Sequence, residues 1–409
     1  MRYLYSFLIK VFELLLPILG IFSVKLYQFR KVRRRALRKV NGQITPGERV
    51  IWFHAASLGE YEQGVPVMEA VRERFPDHKI LLTFFSPSGY NQKKNTPLAD
   101  VVTYLPLDTY SNVNKFVSAV SPEIVIFIKY EFWPNFLTVL KKEGVKTVLI
   151  SGVFRENQPF FKSYGKWMVE ALKAFDHLFL QDQTSMELAK KLGLENVTLS
   201  GDTRYDRVSR QLEADNRLPF VEEFQNGAPL LVCGSSWPED EGLFMDFVSK
   251  AKAVKTIIVP HEMHEDHLES LRKQLGEKAI FYSEKEGKKL SEYQVLVLDA
   301  IGFLGRLYSY ADVAFVGGAA GGTGLHNILE PATFGIPILC GTRIEKFPEA
   351  QKLQQLAGLF TIDTSPETTK LLEKFFNNPD FRQKTGMICG HFVNSNTGAT
   401  RKVMEYLND

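Results

Sequence analysis

From position 50 onward, short apolar runs rich in Val, Ile and Phe alternate with longer stretches of helical periodicity. That alternation predicts parallel sheets assembled from strand–helix–strand units. Strands are predicted at 50–54, 80–84, 123–128, 146–151 and 177–180, and a second series at 230–233, 256–260, 295–298, 312–316 and 337–340. A polar stretch at 211–227 separates the two series, so the pattern predicts an N-terminal segment at 1–40, an α/β domain at 41–210, a linker at 211–228 and a second α/β domain at 229–409. No internal repeat is evident. Two such sheets facing one another leave a cleft, and open α/β sheets bind ligands beyond the carboxyl ends of their strands. Candidate chemistry therefore belongs in the residues that follow each strand.

The first 40 residues break the pattern. They carry ten Lys or Arg against the single acid Glu13, which makes this segment +9 and leaves −6 for the rest of a chain whose formal charge is +3. The basic residues follow an apolar stretch from Leu14 to Val24, which falls short of the roughly 20 residues needed to cross a bilayer and contains Pro17 and Gly20. A segment lying in the membrane interface is expected. The basic cluster from Arg30 to Lys39 would sit against anionic headgroups, each charge contributing on the order of 1 kcal/mol. A cleaved signal peptide has its basic residues before the apolar core, the reverse of this order. Nucleic-acid binding would place the charge on a folded domain. The three cysteines, Cys233, Cys340 and Cys389, are too scattered for a disulfide framework or a thiolate zinc site.

Two strand ends carry carboxylates. After the first strand comes His54-Ala-Ala-Ser57-Leu-Gly59-Glu60, and after the third Lys129-Tyr130-Glu131-Phe132-Trp133-Pro134-Asn135. Glycosyl transfer to an alcohol needs a base for the hydroxyl proton, worth about 10²- to 10⁴-fold. The plain structural alternatives are that Glu60 stabilises a helix N-terminus and that Glu131 pairs with Lys129 or a backbone N–H.

In the second domain, Gly317-Gly318-Ala-Ala-Gly321-Gly322-Thr323-Gly324 follows a strand and precedes His326-Asn327-Ile-Leu-Glu330-Pro331. Glycine-rich turns ahead of a helix suit phosphate binding. Asn327 and Glu330 fit either an ordinary capping box or contacts to ribose hydroxyls. Cys233-Gly234-Ser235-Ser236-Trp237 and Asp299-Ala-Ile-Gly302 complete the strand-end turns, with Ser235 and Ser236 as candidate phosphate donors. His261, His264 and His267 spread over about 120° of a helix, an arrangement unsuited to a single metal ion. No Asp-x-Asp occurs, so a metal-neutralised diphosphate donor is not indicated.

Taken together with Ser200-Gly-Asp-Thr-Arg-Tyr-Asp206 and Asp312-Val-Ala-Phe-Val-Gly-Gly318, these motifs resemble, in order and spacing over nearly the whole chain, the bacterial Kdo (3-deoxy-D-manno-octulosonic acid) transferases that glycosylate the lipid A precursor. The resemblance implies a GT-B fold of two Rossmann-like domains, CMP-Kdo as donor, the lipid A precursor as acceptor, inversion at the anomeric carbon, and no metal or other cofactor. It also implies an anchor on the cytoplasmic face of the inner membrane. The family's base falls on Glu60, its second acceptor-domain carboxylate on Glu131, and its nucleotide-binding pair on Asn327 and Glu330. Ser235 and Ser236 match its phosphate-side turn, and Gly302 and His261 fall on the donor side. Lys129, Arg155 and Arg204 would contact acceptor or phosphate.

The chain departs from the family pattern at Gly201-Asp202-Thr203-Arg204, Pro260-His261 and Ser151-Gly152-Val153-Phe154-Arg155, where His261 introduces a group that titrates near neutrality. The rival readings are another nucleotide-sugar transferase or a sugar-nucleotide epimerase on the same architecture, and a membrane-tethered nucleotide-binding scaffold.

Overall fold

A computed structural model describes residues 1–408 and resolves the chain into two compact units, residues 1–207 together with the segment from Thr397 onward, and Val208–Asn396. Each unit is built on one seven-stranded parallel sheet.

In the first unit the strands are β1 (Val50–Ala55), β2 (Lys79–Phe84), β3 (Val101–Tyr104), β4 (Ile124–Ile128), β5 (Lys146–Gly152), β6 (His177–Leu180) and β7 (Val197–Leu199), arranged β3-β2-β1-β4-β5-β6-β7. The chain winds outward from β1 in both directions, so the order reverses between β1 and β4. Their side chains are buried on both faces, as a sheet covered by helices requires. One face packs Trp52, Phe116, Phe127 and Phe136, and the other Phe53, Met68, Phe84 and Ile126.

The second unit contains β8 (Leu230–Ser236), β9 (Lys255–Pro260), β10 (Ala279–Phe281), β11 (Val295–Val297), β12 (Val313–Val316), β13 (Ile338–Cys340) and β14 (Leu359–Thr361), in the order β10-β11-β9-β8-β12-β13-β14. Here the reversal lies between β8 and β12.

The sequence pattern missed four strands, β3, β7, β10 and β14, and each is the outermost of its sheet. An edge strand is short and pairs on one side only, so three or four residues suffice and leave little periodic signal.

The domain limits also differ from the sequence reading. Residues 211–228 are no free linker: helix Pro219–Gln225 buries Val221 and Phe224 in the second unit. The last helix, Ala399–Asn408, returns to the first unit, where Val403 and Leu407 join its core and Asp206 accepts the N–H groups of Gly398 (2.5 Å) and Thr400 (2.7 Å).

The N-terminal segment forms two helices, α1 (Arg2–Phe22) and α2 (Val24–Gln43), that pack on the first unit. α1 is longer than the apolar stretch from Leu14 to Val24 and is long and apolar enough to cross a membrane. Three of its polar side chains are engaged with the domain. Tyr5 donates to Asp108 (2.8 Å), Ser6 to Asn135 (3.0 Å), and Glu13 accepts from Asn112 (2.6 Å). Leu4, Phe7, Leu8, Leu14, Leu15 and Ile18 face outward and are exposed. α2 is anchored more deeply, with Val40 in the core of the unit.

Candidate active site

β1 and β4 are neighbours at the switch point of the first sheet, and the two candidate carboxylates leave from their carboxyl ends. α3 (Leu58–Arg74) follows β1 and brings Glu60 into its first turn. The helix can lie this close to β4 because position 64 is glycine: a Cβ there would stand 2.5 Å from Ile128 Cδ1.

Glu60 is buried, and its Oε2 accepts the Ala56 N–H at 2.5 Å. Burial, reinforced by the charge of Glu131, pushes its carboxyl up to about 7, although the Ala56 N–H and the Lys129 charge act in the opposite sense. The helix-stabilising contact expected of an acid in this place is thus present. It does not hold the carboxyl in the ordinary range, because desolvation and the Glu131 charge outweigh the backbone hydrogen bonds from Ala56 and Ser57.

Glu131 is held differently. Its Oε2 accepts from Trp133 Nε1 (2.6 Å) and from His54 Nε2 (3.0 Å). Behind it, Trp52 Nε1 donates to Thr83 Oγ1 (2.8 Å), and Thr83 Oγ1 lies 2.8 Å from His54 Nδ1. His54 Nδ1 lies 3.1 Å from the Thr83 carbonyl oxygen as well, and the Thr83 hydroxyl donates to the Phe53 carbonyl (3.3 Å), so the imidazole is held at both ring nitrogens. The alternative partners named for Glu131, Lys129 or a backbone N–H, are not the ones it takes.

Cations gather beside the two acids. Lys129 sits at φ 69° directly after β4, and its ammonium is lowered by burial and by the charge of Arg204, with Asp202 and Glu60 opposing. Arg155 donates to the Tyr130 hydroxyl (2.8 Å) with its guanidinium 5.1 Å from the same ring. Arg204 pairs with Asp202 at 2.8 Å. Ser151, at the end of β5, also has positive φ (51°). Non-glycine residues in this region cost of order 1–3 kcal/mol each and gather where surroundings dictate the backbone, as at functional sites. The fold thus assembles Glu60, Glu131, Lys129, Arg155 and Arg204 at one switch point. Sequence reasoning missed the support given by His54, Tyr130 and Asp202; the readable signal was that His54 is itself the last polar residue of its strand.

The second unit repeats the arrangement between β8 and β12. Gly317 lets the two strand ends close up, since a Cβ there would lie 2.3 Å from the Ser235 carbonyl oxygen, and Gly234 makes room for buried Tyr308, whose hydroxyl would lie 2.0 Å from a Cβ. Buried Asp240 ties the turn together, accepting the N–H groups of Trp237 (3.0 Å), Gly318 (2.7 Å) and Ala320 (3.2 Å). This corrects the reading of the glycine-rich run in part: the N–H groups of Gly318 and Ala320 serve a carboxylate, and the helix that follows, Leu329–Thr333, is a short one.

Ser236 is corrected likewise. It is fully buried and its hydroxyl donates to Glu241 (2.8 Å), which is also bonded to His267 (2.9 Å). Ser235 remains, half-buried and held at φ 53°.

His261 is the middle ring of a stack, 4.2 Å from His326 and 4.9 Å from Trp237. Trp237 Nε1 donates to His326 Nε2 (3.1 Å), and burial together with the neighbouring His261 lowers His326 to about 4, so that ring is neutral and Nε2 an acceptor. Asn327 Oδ1 accepts the Leu329 N–H and its amide donates to Glu330, both at 3.1 Å; the N-cap of the helix is Ile328, so this is an Asx turn with the two side chains bonded to each other, and the capping box is not formed. Gly302 is exposed at φ 91°, a conformation that suits glycine. Trp237, Asp240 and His326 were not singled out from the sequence. An acid in the first turn of helix Pro238–Lys250 was a signal for Asp240; the ring stack left none.

Among solved structures, the chain is similar to a UDP-GlcNAc 2-epimerase from Neisseria meningitidis (TM-score 0.59, 12% identity, 88% of this chain and 99% of that one). It is also similar to a glycosyltransferase from Rickettsia africae (TM-score 0.53, 12% identity, 88% and 98%). At such identities the likeness establishes the fold alone, which is of the GT-B type.

Sequence comparison narrows the class to a glycosyltransferase. The family described as 3-Deoxy-D-manno-octulosonic-acid transferase (kdotransferase) matches residues 30–207. A 3-deoxy-D-manno-octulosonic acid transferase of Chlamydia muridarum is 30% identical over 80% of this chain and 77% of its own length, and one from Haemophilus influenzae is 24% identical over 99% and 98%. The chain belongs to the 3-deoxy-D-manno-octulosonic acid transferase family.

Proposed function

We propose that this enzyme transfers Kdo from CMP-Kdo to a hydroxyl of the lipid A precursor, with Glu60 as the base. The acceptor oxygen attacks the anomeric carbon of Kdo, the bond from that carbon to the CMP phosphate oxygen breaks, and the hydroxyl proton passes to Glu60. The products are Kdo-bearing lipid and CMP, with the anomeric configuration inverted.

The observation that carries this reading is the buried Glu60 at the β1–β4 switch point, its carboxyl raised to about 7. A base of that strength is half ionised at neutral pH and still able to accept a proton. Glu131, fixed by His54 and Trp133, supplies a negative charge that raises Glu60, and Lys129, Arg155 and Arg204 provide cationic contacts for an anionic acceptor. In the second unit Ser235, His261, Gly302, Asn327 and Glu330 are assigned to the nucleotide end of the donor.

The enzyme acts at the cytoplasmic face of the inner membrane, with α1 lying in the interface. In favour of this pose, α1 is bonded along its polar side to the first unit while its opposite side exposes apolar residues. The test is mass spectrometry of protein incubated with CMP-Kdo and a tetraacylated lipid A precursor in detergent. A mass increase by whole Kdo units is expected. An unchanged acceptor, with CMP still bound, would refute the donor–acceptor pair.

A further inference from the structure

Between α1, α2 and the loop after β3 lies a cavity of about 530 Å³ that takes no part in the chemistry above. Its size is that of a small-molecule site. Arg30, Arg33, Arg34 and Lys115 line it, with Glu13 as the one acid. Glu13 is already satisfied, by Lys10 (2.7 Å) and Asn112 (2.6 Å). Among the described residues no carboxylate pairs with Arg30, Arg34 or Lys115. Four positive charges therefore line the opening against one carboxylate, which is already bonded to Lys10 and Asn112.

Arg33 is the most telling. It is only 6% exposed, its guanidinium lies 3.4 Å from the centre of the Phe29 ring and 4.5 Å from that of Phe85, and it donates to the carbonyls of Phe29 (3.3 Å) and Phe85 (2.7 Å). Its Nε has no hydrogen-bond partner among the described residues. A buried donor of this kind is costly if left unmet, and more so when charged. With both terminal nitrogens given to carbonyls, the Nε–H is the donor left for an oxyanion such as a phosphate oxygen. The remaining walls are apolar, from Leu14, Leu16 and Pro17 of α1, and Leu14 belongs to the exposed apolar face of that helix.

We infer that this cavity binds the phosphate headgroup of an anionic membrane lipid, one per chain, with the acyl chains running out along α1. The apolar wall continuous with an exposed helix face favours a lipid over a free anion. The inference rests on the membrane reading of α1 and adds to it a discrete site in place of a diffuse charged surface.

Protein purified in non-ionic detergent is incubated with phosphatidylglycerol, and retained lipid is counted by native mass spectrometry. One lipid per chain is expected. Arg33→Met, which keeps apolar packing against the two phenylalanines, and Lys115→Ser, on an exposed helix position, should each weaken retention about tenfold, as loss of one charge-assisted hydrogen bond implies. Arg35→Ser and Arg38→Ser remove equal charge outside the cavity and should leave retention within about twofold. Equal losses in all four variants, or undiminished retention in the first two, would overturn the site. Inorganic phosphate raising the melting temperature of the parent but not of Arg33→Met would overturn the lipid assignment in favour of a soluble anion. Sedimentation with phosphatidylglycerol vesicles separates the underlying reading: if the parent protein fails to sediment, interface binding itself fails, whereas sedimentation without retained lipid refutes the cavity alone.

Discussion

Two carboxylates of the first unit sit at adjacent strand ends yet are poised differently, and the difference comes from what surrounds each. Glu131 receives two N–H donors from side chains; Glu60 receives a short backbone contact but is desolvated beside another negative charge. A base raised to about 7 predicts that kcat/KM falls as pH drops through 7, and Glu131→Gln should move that limb to lower pH by removing the repelling charge. A pH–rate profile of both proteins tests this. Glu60→Gln should lower turnover by about 10²- to 10⁴-fold while CMP binding, read by calorimetry, is kept. The same shift has a stability consequence. A carboxyl whose folded value stands above its ordinary 4.5 favours the fold most below 4.5, and that advantage is lost as pH rises through about 7. Glu60→Gln should therefore melt higher than the parent at pH 8 and show little difference at pH 4.

At the scale of elements, glycines decide how closely strands and helices approach. Gly317→Ala would drive a Cβ to 2.3 Å from the Ser235 carbonyl oxygen and part β8 from β12; Gly242, on helix Pro238–Lys250, has nothing within 4 Å of a built Cβ. Gly317→Ala should lower the melting temperature and weaken CMP binding, whereas Gly242→Ala should raise stability by up to about 1 kcal/mol through helix propensity alone. Thermal melts of the two variants separate these effects. The core strands were legible because each is a run of apolar residues buried on both faces. The four edge strands were not, since each is only three or four residues long, and β7 and β14 are partly exposed as well.

For the whole molecule, the informative feature is the return of the chain end to the first unit. Asp206, at the close of a motif that reads from the sequence as a site segment, instead caps the turn into helix Ala399–Asn408, whose Val403 and Leu407 complete a core begun more than three hundred residues earlier. A chain ending at Asn396 should unfold its first unit at lower temperature, by an amount set by two lost core side chains, each worth about 1.5–3 kcal/mol. Calorimetry that resolves the units would detect this, with the second unit left unchanged.

Alternating apolar runs, and acids set directly after them, determined by themselves that the chain folds as two parallel α/β sheets and that Glu60 and Glu131 stand at strand ends, because those properties follow from local periodicity. Tertiary structure alone decided that β1 and β4 are neighbours, that His54 reaches Glu131, that Asp240 occupies the glycine-rich turn and that Ser236 gives its hydrogen to Glu241. Each of these is a contact between residues whose separation along the chain carries no periodic signal, or a competition for one donor that only the folded geometry settles.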